Sequence, residues 1–418
     1  MSDPNSIEKN PLEPTAEDLN PTLREYYDAY RTRVQAGDLG SLPIIAGLIV
    51  IAIIFRTQSE VFLSSANFVN LIRQTGGLAI IAIGVVFVLL IAEIDLSVAF
   101  VSAVVGVTMT LLLRPSGPGW AWWVVIPLVL MLGAFIGFLQ GFIVTKAKVP
   151  SFVVTLAGFL GWSGVVLILT TEFTDSGTIL IQDDVVIGVA NAFLSEFWSW
   201  VLVIAGVTGF AFLQLAQRVA RSKAGLPVKP NIVVALQVAA LGAIVAFAVA
   251  VANDDRGVPV LALLILFLLV FWSFIAARTR FGRHIYAVGG NPEAARRAGI
   301  KVDRVRIAVF MITSFMAGVG GIVLASRLRS VDPAAGGGNL LLNAIAAAVI
   351  GGTSLFGGRG RVVSALLGAV VIASLDNGLG LIPNLPSGVK FIVTALVLLA
   401  AVLVDSFSRR AQRASGIA

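Results

Sequence analysis

The chain has 418 residues, of which 57% are hydrophobic and only 13% charged. A soluble domain carries about 25% charged residues, so the composition excludes an ordinary soluble protein and indicates an all-α polytopic membrane protein. With no cysteine and a single histidine, His284, disulfide frameworks, thiolate metal sites and multi-histidine sites are excluded. The formal charge of +7 lies mostly at the ends of apolar runs, where membrane topology accounts for it. No nucleic-acid motif accompanies it, so no nucleic-acid partner is expected.

In chain order, residues 1–38 read as a polar cytosolic tail with a short helix near 23–34. The first long apolar run begins too far from the start for a secretory signal. A bilayer core needs about 20 apolar residues per helix. About twelve candidate spans meet that need, some of them short: 39–56, 75–93, 96–113, 121–145, 150–170, 197–217, 230–252, 258–277, 307–327, 339–354, 361–380 and 388–405. The tenth and eleventh are Gly-rich, which fits a broken or re-entrant segment. Residues 39–405 thus form the membrane domain, and 406–418 form a basic cytosolic tail.

Orientation follows from Lys and Arg. With both termini cytoplasmic, Lys146, Lys148, Arg218, Arg221, Lys223, Lys229, the 278–306 cluster, Arg359, Arg361 and the C-terminal arginines all fall inside. The acidic 171–196 loop falls outside. Arg56, Arg73, Arg114, Arg327 and Arg329 are exceptions. Trp120, Trp122, Trp123, Trp198 and Trp200 fall at outer helix ends, as an interfacial belt does. The 171–196 loop is long for a connector and is either functional or a solvated loop.

Four features carry candidate function. The first is Glu93-Ile94-Asp95-Leu96-Ser97. Carboxylates between apolar runs are costly and mark functional positions, but a tight turn in which Ser97 or Asp95 caps the next helix accounts for them as well. The second is a set of amides. Gln140 reads as glue between helices, whereas Asn343 and Asn377 read as pathway residues able to bond sugar hydroxyls; Asn339 belongs to the same set.

The third is the segment 278–306, with eight basic and two acidic residues and so net +6. It holds a punctuated helix of about seven residues. Asn291 caps, Pro292 opens, Glu293 and Arg296–Arg297 suit the dipole, and Gly299 stops it. So short a helix is unstable alone and needs a partner. The fourth is VIGGTSLFGGRG, 349–360, whose glycines, including Gly351 and Gly352, permit close backbone approach.

Three of these features carry a family resemblance. YAVGGNPEAARRAGI, 286–300, resembles the cytoplasmic coupling segment of sugar-type ABC transporter permeases, and 349–360 with 368–381 is similar to the same family. The IDLSV string at 94–98 resembles it too, although Ala92 and Ala99 stand where glycines often flank it. The resemblance covers roughly 60–405. The spans between 197 and 277 look more like the xylose-type branch than the ribose-type.

The resemblance implies a permease subunit of an ATP-driven monosaccharide importer in the bacterial cytoplasmic membrane, with a pentose favoured. The coupling residues would be Gly289, Gly290, Asn291, Pro292, Glu293, Ala294, Ala295, Arg296 and Gly299. Asp95, Asn343, Asn377, Gly351 and Gly352 would belong to the pathway or gate. Expected partners are a separate ATP-binding subunit carrying ATP and Mg, an extracytoplasmic sugar-binding protein, a second permease copy and membrane lipid.

The chain has no GxxxxGK[ST] phosphate loop, so it is expected to bind no cofactor and to hydrolyse no ATP itself. An ion-coupled secondary transporter is the alternative. It would need ionisable residues near the midplane, and Glu93, Asp95 and Asp376 are the few candidates. A lipid-modifying enzyme lacks a readable nucleophile–base pair.

Overall fold

The computed structural model describes residues 42–397 apart from 175 and 227, together with residues 24, 25, 27, 31 and 399. The expected tails 1–38 and 406–418 otherwise lie outside the described residues, as does the end of the last expected span. In the helix expected at 23–34, Arg24, Glu25, Tyr27 and Arg31 are helical.

Long runs of Leu, Ile, Val, Ala and Phe form helices because a helix satisfies its backbone polar groups within the segment, as hydrocarbon surroundings demand. The helices α1 (Leu42–Gln58), α2 (Ser65–Leu90), α3 (Val98–Leu113), α4 (Trp122–Lys146) and α5 (Ser151–Thr171) come first. After them come strand β1 (Ile179–Leu180), the short α6 (Asp184–Asn191), and the pair α7 (Glu196–Lys223) and α8 (Asn231–Asn253). Then follow α9 (Val260–Arg278), α10 (Arg280–Gly290), α11 (Pro292–Arg297) and α12 (Val302–Leu328). Strand β2 (Ser330–Val331), α13 (Leu340–Ile350) and α14 (Val362–Gly380) lead to α15 (Ser387–Val397).

Among the described residues eight helices are long and apolar enough to cross a membrane: α2, α4, α5, α7, α8, α9, α12 and α14. The helices α1, α3, α13 and α15 are apolar but shorter. Each expected span overlaps one of these helices.

The chain divides into two compact units. One holds residues 195–257, where α7 packs against α8. Its apolar side chains, Phe212, Ile244 and Phe247 among them, are largely exposed. The other unit holds residues 40–194 and 258–407. At its centre is α2, buried without periodicity from Thr75 to Leu90, as a helix hydrophobic all round should be.

Around α2 pack α12, α14 and α13. Gly133, Gly137 and Gly141, four apart on α4, lie against Ser314, Phe310 and Ile307 of α12; a Cβ at Gly137 would stand 2.3 Å from the Phe310 carbonyl oxygen. This small-residue seam brings the two helices together at backbone distance.

The start of α2 differs from expectation by ten residues. Polar Asn67, Asn70, Arg73 and Gln74 hide its first turns in the sequence. Ser64 caps it, accepting from the Asn67 N–H at 3.3 Å. Arg73 donates to the Ala190 carbonyl at 3.0 Å and to Asn191, and its guanidinium lies over the Phe193 ring.

These contacts also order much of the expected outer loop. β1 pairs antiparallel with β2, Asp183 caps α6 through the Val186 N–H, and Ala190 and Asn191 both bond Ser326 of α12. For residues 179–191 the solvated-loop alternative is therefore corrected. Two of the exceptions to the charge rule have local roles: Arg73 holds α6, and Arg114 donates to the Phe173 carbonyl at 2.9 Å.

The seam makes a testable contrast. Gly137→Ala should cost about 1–3 kcal/mol of overpacking and lower the unfolding temperature in detergent. Gly206→Ala, where no atom lies within 4 Å, should leave it unchanged or slightly raised, because Ala is the better helix former. Equal behaviour of the two variants would dispose of the seam.

Candidate functional site

The segment after α9 holds two short helices. The first, α10, escaped the sequence reading. Thr279 caps it, its Oγ1 accepting from the Gly282 N–H at 3.1 Å. Phe281, Ile285 and Val288, spaced i, i+4 and i+7, turn one face to the core; that spacing was the available signal, masked by interleaved arginines.

The second helix, α11, lies where expected, six residues long. Asn291 is extended, with φ −159°, and its Oδ1 accepts from the Glu293 and Ala294 N–H groups at 3.1 and 3.0 Å. Pro292 lacks the N–H that would otherwise need a partner. At the other end, Gly299 N donates to the Arg296 carbonyl and Ile300 N to the Ala295 carbonyl, both at 3.0 Å. Gly299 has φ +83°, the left-handed stop that glycine adopts without strain.

Glu293, Ala294, Arg296, Arg297 and Ala298 are exposed, with Glu293 paired to Arg296. Two residues expected on the coupling surface are instead inside. Ala295 is buried and anchors the helix. Gly289 is buried too, and a Cβ there would stand 1.7 Å from the Leu90 carbonyl oxygen.

That carbonyl is the centre of a three-way joint. It also accepts from the Gly358 N–H at 2.9 Å, with Gly357 and Gly358 at φ +80° and +70°. Tyr286 Oη donates to the Gly360 carbonyl at 2.8 Å. Burial pushes the Tyr286 phenol above its ordinary pKa, while Arg361 pulls it down, so the hydroxyl stays a donor at neutral pH. The glycine string 349–360 thus forms a turn packed under α10. Gly351 backs onto the Ser364 carbonyl, and Gly352 turns at φ +97° in open space. Beside the joint, Arg306 Nε stands 3.1 Å from Glu93 Oε1, an electrostatic contact whose hydrogen is not in line, and Lys146 stands 3.8 Å from Asp303.

A buried polar cluster lies one step inward. Asp95 Oδ1 accepts from the Ser97 N–H at 2.9 Å and from the Ser97 hydroxyl at 2.6 Å. Gln140 Nε2 donates to Ser97 Oγ at 2.8 Å. Of the two expected caps, Asp95 does the capping and Ser97 makes no side-chain cap bond. Gln140 is six residues from the end of α4, so the cluster sits about 9 Å along that helix. Asp95 Oδ2 and Trp162 Nε1 find no partner among the described residues. Gly336, in the turn before α13, lies against the Ala99 carbonyl, so the starts of α3 and of the α13 segment meet.

The remaining amides separate. Asn343 Nδ2 stands 3.3 Å from Asp376 Oδ2 on exposed surface. Asn377 turns the other way, exchanging amide bonds with Asn67 at 2.8 and 2.9 Å and donating to Gln74. It joins α14 to α2 and does not meet Asn343. Asn339 sits at the start of α13 with no side-chain cap bond. Among the described residues no group of three or more His, Cys, Asp or Glu could hold a metal ion.

Two outcomes follow. Asn291→Ala should cost about 1 kcal/mol, read as roughly fivefold faster amide exchange confined to residues 293–300. Asn67→Ala and Asn377→Ala should be strongly non-additive in a double-mutant cycle of thermal unfolding, with a coupling of about 0.5–3 kcal/mol. Additive losses would show that the amide pair does not join the helices.

Comparison with known proteins places the chain. The family model described as branched-chain amino acid transport system / permease component matches residues 67–402. The xylose transport system permease protein XylH of Escherichia coli (strain K12) is 40% identical over 369 residues, 88% of this chain and 92% of that protein. XylH of Haemophilus influenzae is 36% identical, over 88% of this chain and 96% of its own length. The ribose import permease protein RbsC of the same organism is 34% identical, over 87% and 92%. No solved structure matches.

Proposed function

The chain belongs to the branched-chain amino acid transport system / permease component family, and from that premise we propose that it is the membrane subunit of an ATP-driven importer of a monosaccharide. A pentose such as xylose is the favoured cargo, because the relatives described above include xylose and ribose permeases. The end bearing Leu90, Lys146, Ser151 and the α10–α11 segment faces the cytoplasm, as its Lys and Arg content requires. Both termini lie on that side of about twelve spans in the bacterial cytoplasmic membrane.

The observation that carries the reading is the exposed α11, capped at both ends yet jointed at Gly289 to the end of α2 and to the 357–360 turn. A helix of six residues is not maintained for its own stability; this one presents a rigid knob. ATP and Mg sit on a separate ATP-binding subunit, and closure of that subunit pushes the knob. The joint passes the push to the α2–α3 junction and to the α13–α14 turn through backbone contacts, and the helix starts meeting at Ala99 and Gly336 shift as near-rigid bodies to alternate access.

Asp95 and the Asn343–Asp376 pair, with Gly351 and Gly352 at the turn, line or gate the path. Asn377 serves the α14–α2 joint instead. A second copy of the chain completes the path, and an extracytoplasmic sugar-binding protein docks on the side of β1, β2 and α6.

Glu293→Arg combined with Ala294→Trp tests the knob at two exposed positions and spares buried Ala295. The double variant should reach the membrane and melt like the native chain, yet lose co-purification with the ATP-binding subunit and substrate-stimulated ATP hydrolysis. Retention of both would remove α11 from the docking surface.

A further inference from the structure

Beside α11 lies a cleft of about 820 Å³ formed by the end of α4, the 147–151 turn and residues 300–306. Six bases line it: Lys146, Lys148, Arg296, Lys301, Arg304 and Arg306. Its two acids are already engaged, Glu93 by Arg306 and Asp303 by Lys146, and Arg296 pairs with Glu293. Lys148, Lys301 and Arg304 form no ion pair among the described residues. Lys148 is moreover held at φ +55°, a conformation that a non-glycine residue adopts at a cost and that recurs at functional positions.

Exposed apolar residues follow directly on the wall of the cleft in α4 and α5. Phe142 and Ile143 on the last turns of α4, and Phe152 and Val153 on the first turn of α5, are exposed. A molecule whose charged end fills the cleft therefore has exposed apolar side chains within one or two residues of the wall residues Val144 and Ser151.

We propose that the cleft holds the headgroup of an anionic glycerophospholipid, with its phosphodiester on Lys148, Lys301 and Arg304 and its acyl chains along Phe142, Ile143, Phe152 and Val153. Guanidinium and ammonium groups bind phosphate oxygens through charge-assisted hydrogen bonds, and juxtamembrane bases draw anionic lipid to the leaflet they face. A soluble phosphate would use the cations and leave the apolar flank idle. The inference rests on the membrane placement of α4 and α5 and is independent of the transported sugar. The bound lipid ties the α4–α5 turn to the residues directly after the coupling helix, so leaflet composition is read at the coupling site.

The test titrates the full-length chain in neutral detergent with a short-chain fluorescent phosphatidylglycerol. Phosphatidylcholine serves as the neutral headgroup and inorganic phosphate as the soluble competitor. Phosphatidylglycerol should bind saturably, phosphatidylcholine should not, and millimolar phosphate should leave the bound lipid in place. K148Q/K301Q/R304Q should weaken phosphatidylglycerol binding by about 100-fold, at about fivefold per base. The charge-preserving K148R/K301R/R304K, which guards against misfolding, should retain it, as should R218Q/K223Q on the separate α7–α8 pair. Native affinity in the triple Gln variant would overturn the proposal. So would displacement by phosphate, which would mark a free-anion pocket. Unchanged lipid binding with loss of the ATP-binding subunit would mark a protein-docking surface and overturn it equally.

Discussion

The structure turns on one carbonyl. Leu90 ends α2, and the last four carbonyls of any helix lack a partner within it. The Leu90 oxygen finds one in the Gly358 N–H and is covered from the other side by Gly289, at a distance that leaves no room for a side chain. One atom thus fixes three segments far apart in sequence. Contacts between long side chains can absorb a displacement by changing rotamer. A backbone-to-backbone contact cannot, and the coupling proposed above rests on that stiffness between Gly289, α2 and the 357–360 turn.

The same accounting of backbone groups explains the polar cluster behind the joint. α3 begins within the membrane domain, not at its surface, so its first N–H groups open onto a region poor in water, where each unsatisfied group costs several kcal/mol. Asp95 meets part of that need by accepting from the Ser97 N–H. The Ser97 hydroxyl also donates to Asp95 and is itself braced by Gln140 from the α4 side. The 93–97 motif is therefore structural first, a cap placed at depth. The α13 segment touches the same helix start through Gly336, and the gating role proposed above rests on that position.

Local signals were legible in the sequence and long-range ones were not. The helix α11 could be read residue by residue because caps, Pro at the first turn and a glycine stop are properties of neighbouring residues. The spans were legible because apolar runs need no partner to be recognised. The first turns of α2 were hidden because Asn67 and Arg73 look like loop residues until Asn377 and Asn191, 310 and 118 positions away, supply their partners. The same logic misplaced Ala295 and Gly289. Motif membership marks a residue as part of a feature without saying which side of the helix it occupies. Asn377 fared likewise: it sits next to Asp376 in sequence, yet the helix turns one residue to the core and the other out.

Charge and shape divide the work in 278–306. The segment is rich in bases, but the exposed face of α11 carries Ala294, Ala298, a self-neutralised Glu293–Arg296 pair and a single further charge, Arg297. A rigid, weakly charged knob gains its fit from contour. In the docking proposed above, such a surface tolerates little added volume. Four of the bases, Arg296, Lys301, Arg304 and Arg306, face the neighbouring cleft instead. There Lys148, Lys301 and Arg304, without ion pairs among the described residues, carry the anionic lipid proposed above. The two surfaces meet at Arg296, which pairs with Glu293 and also lines the cleft, so the proposed lipid and the proposed coupling share one side chain.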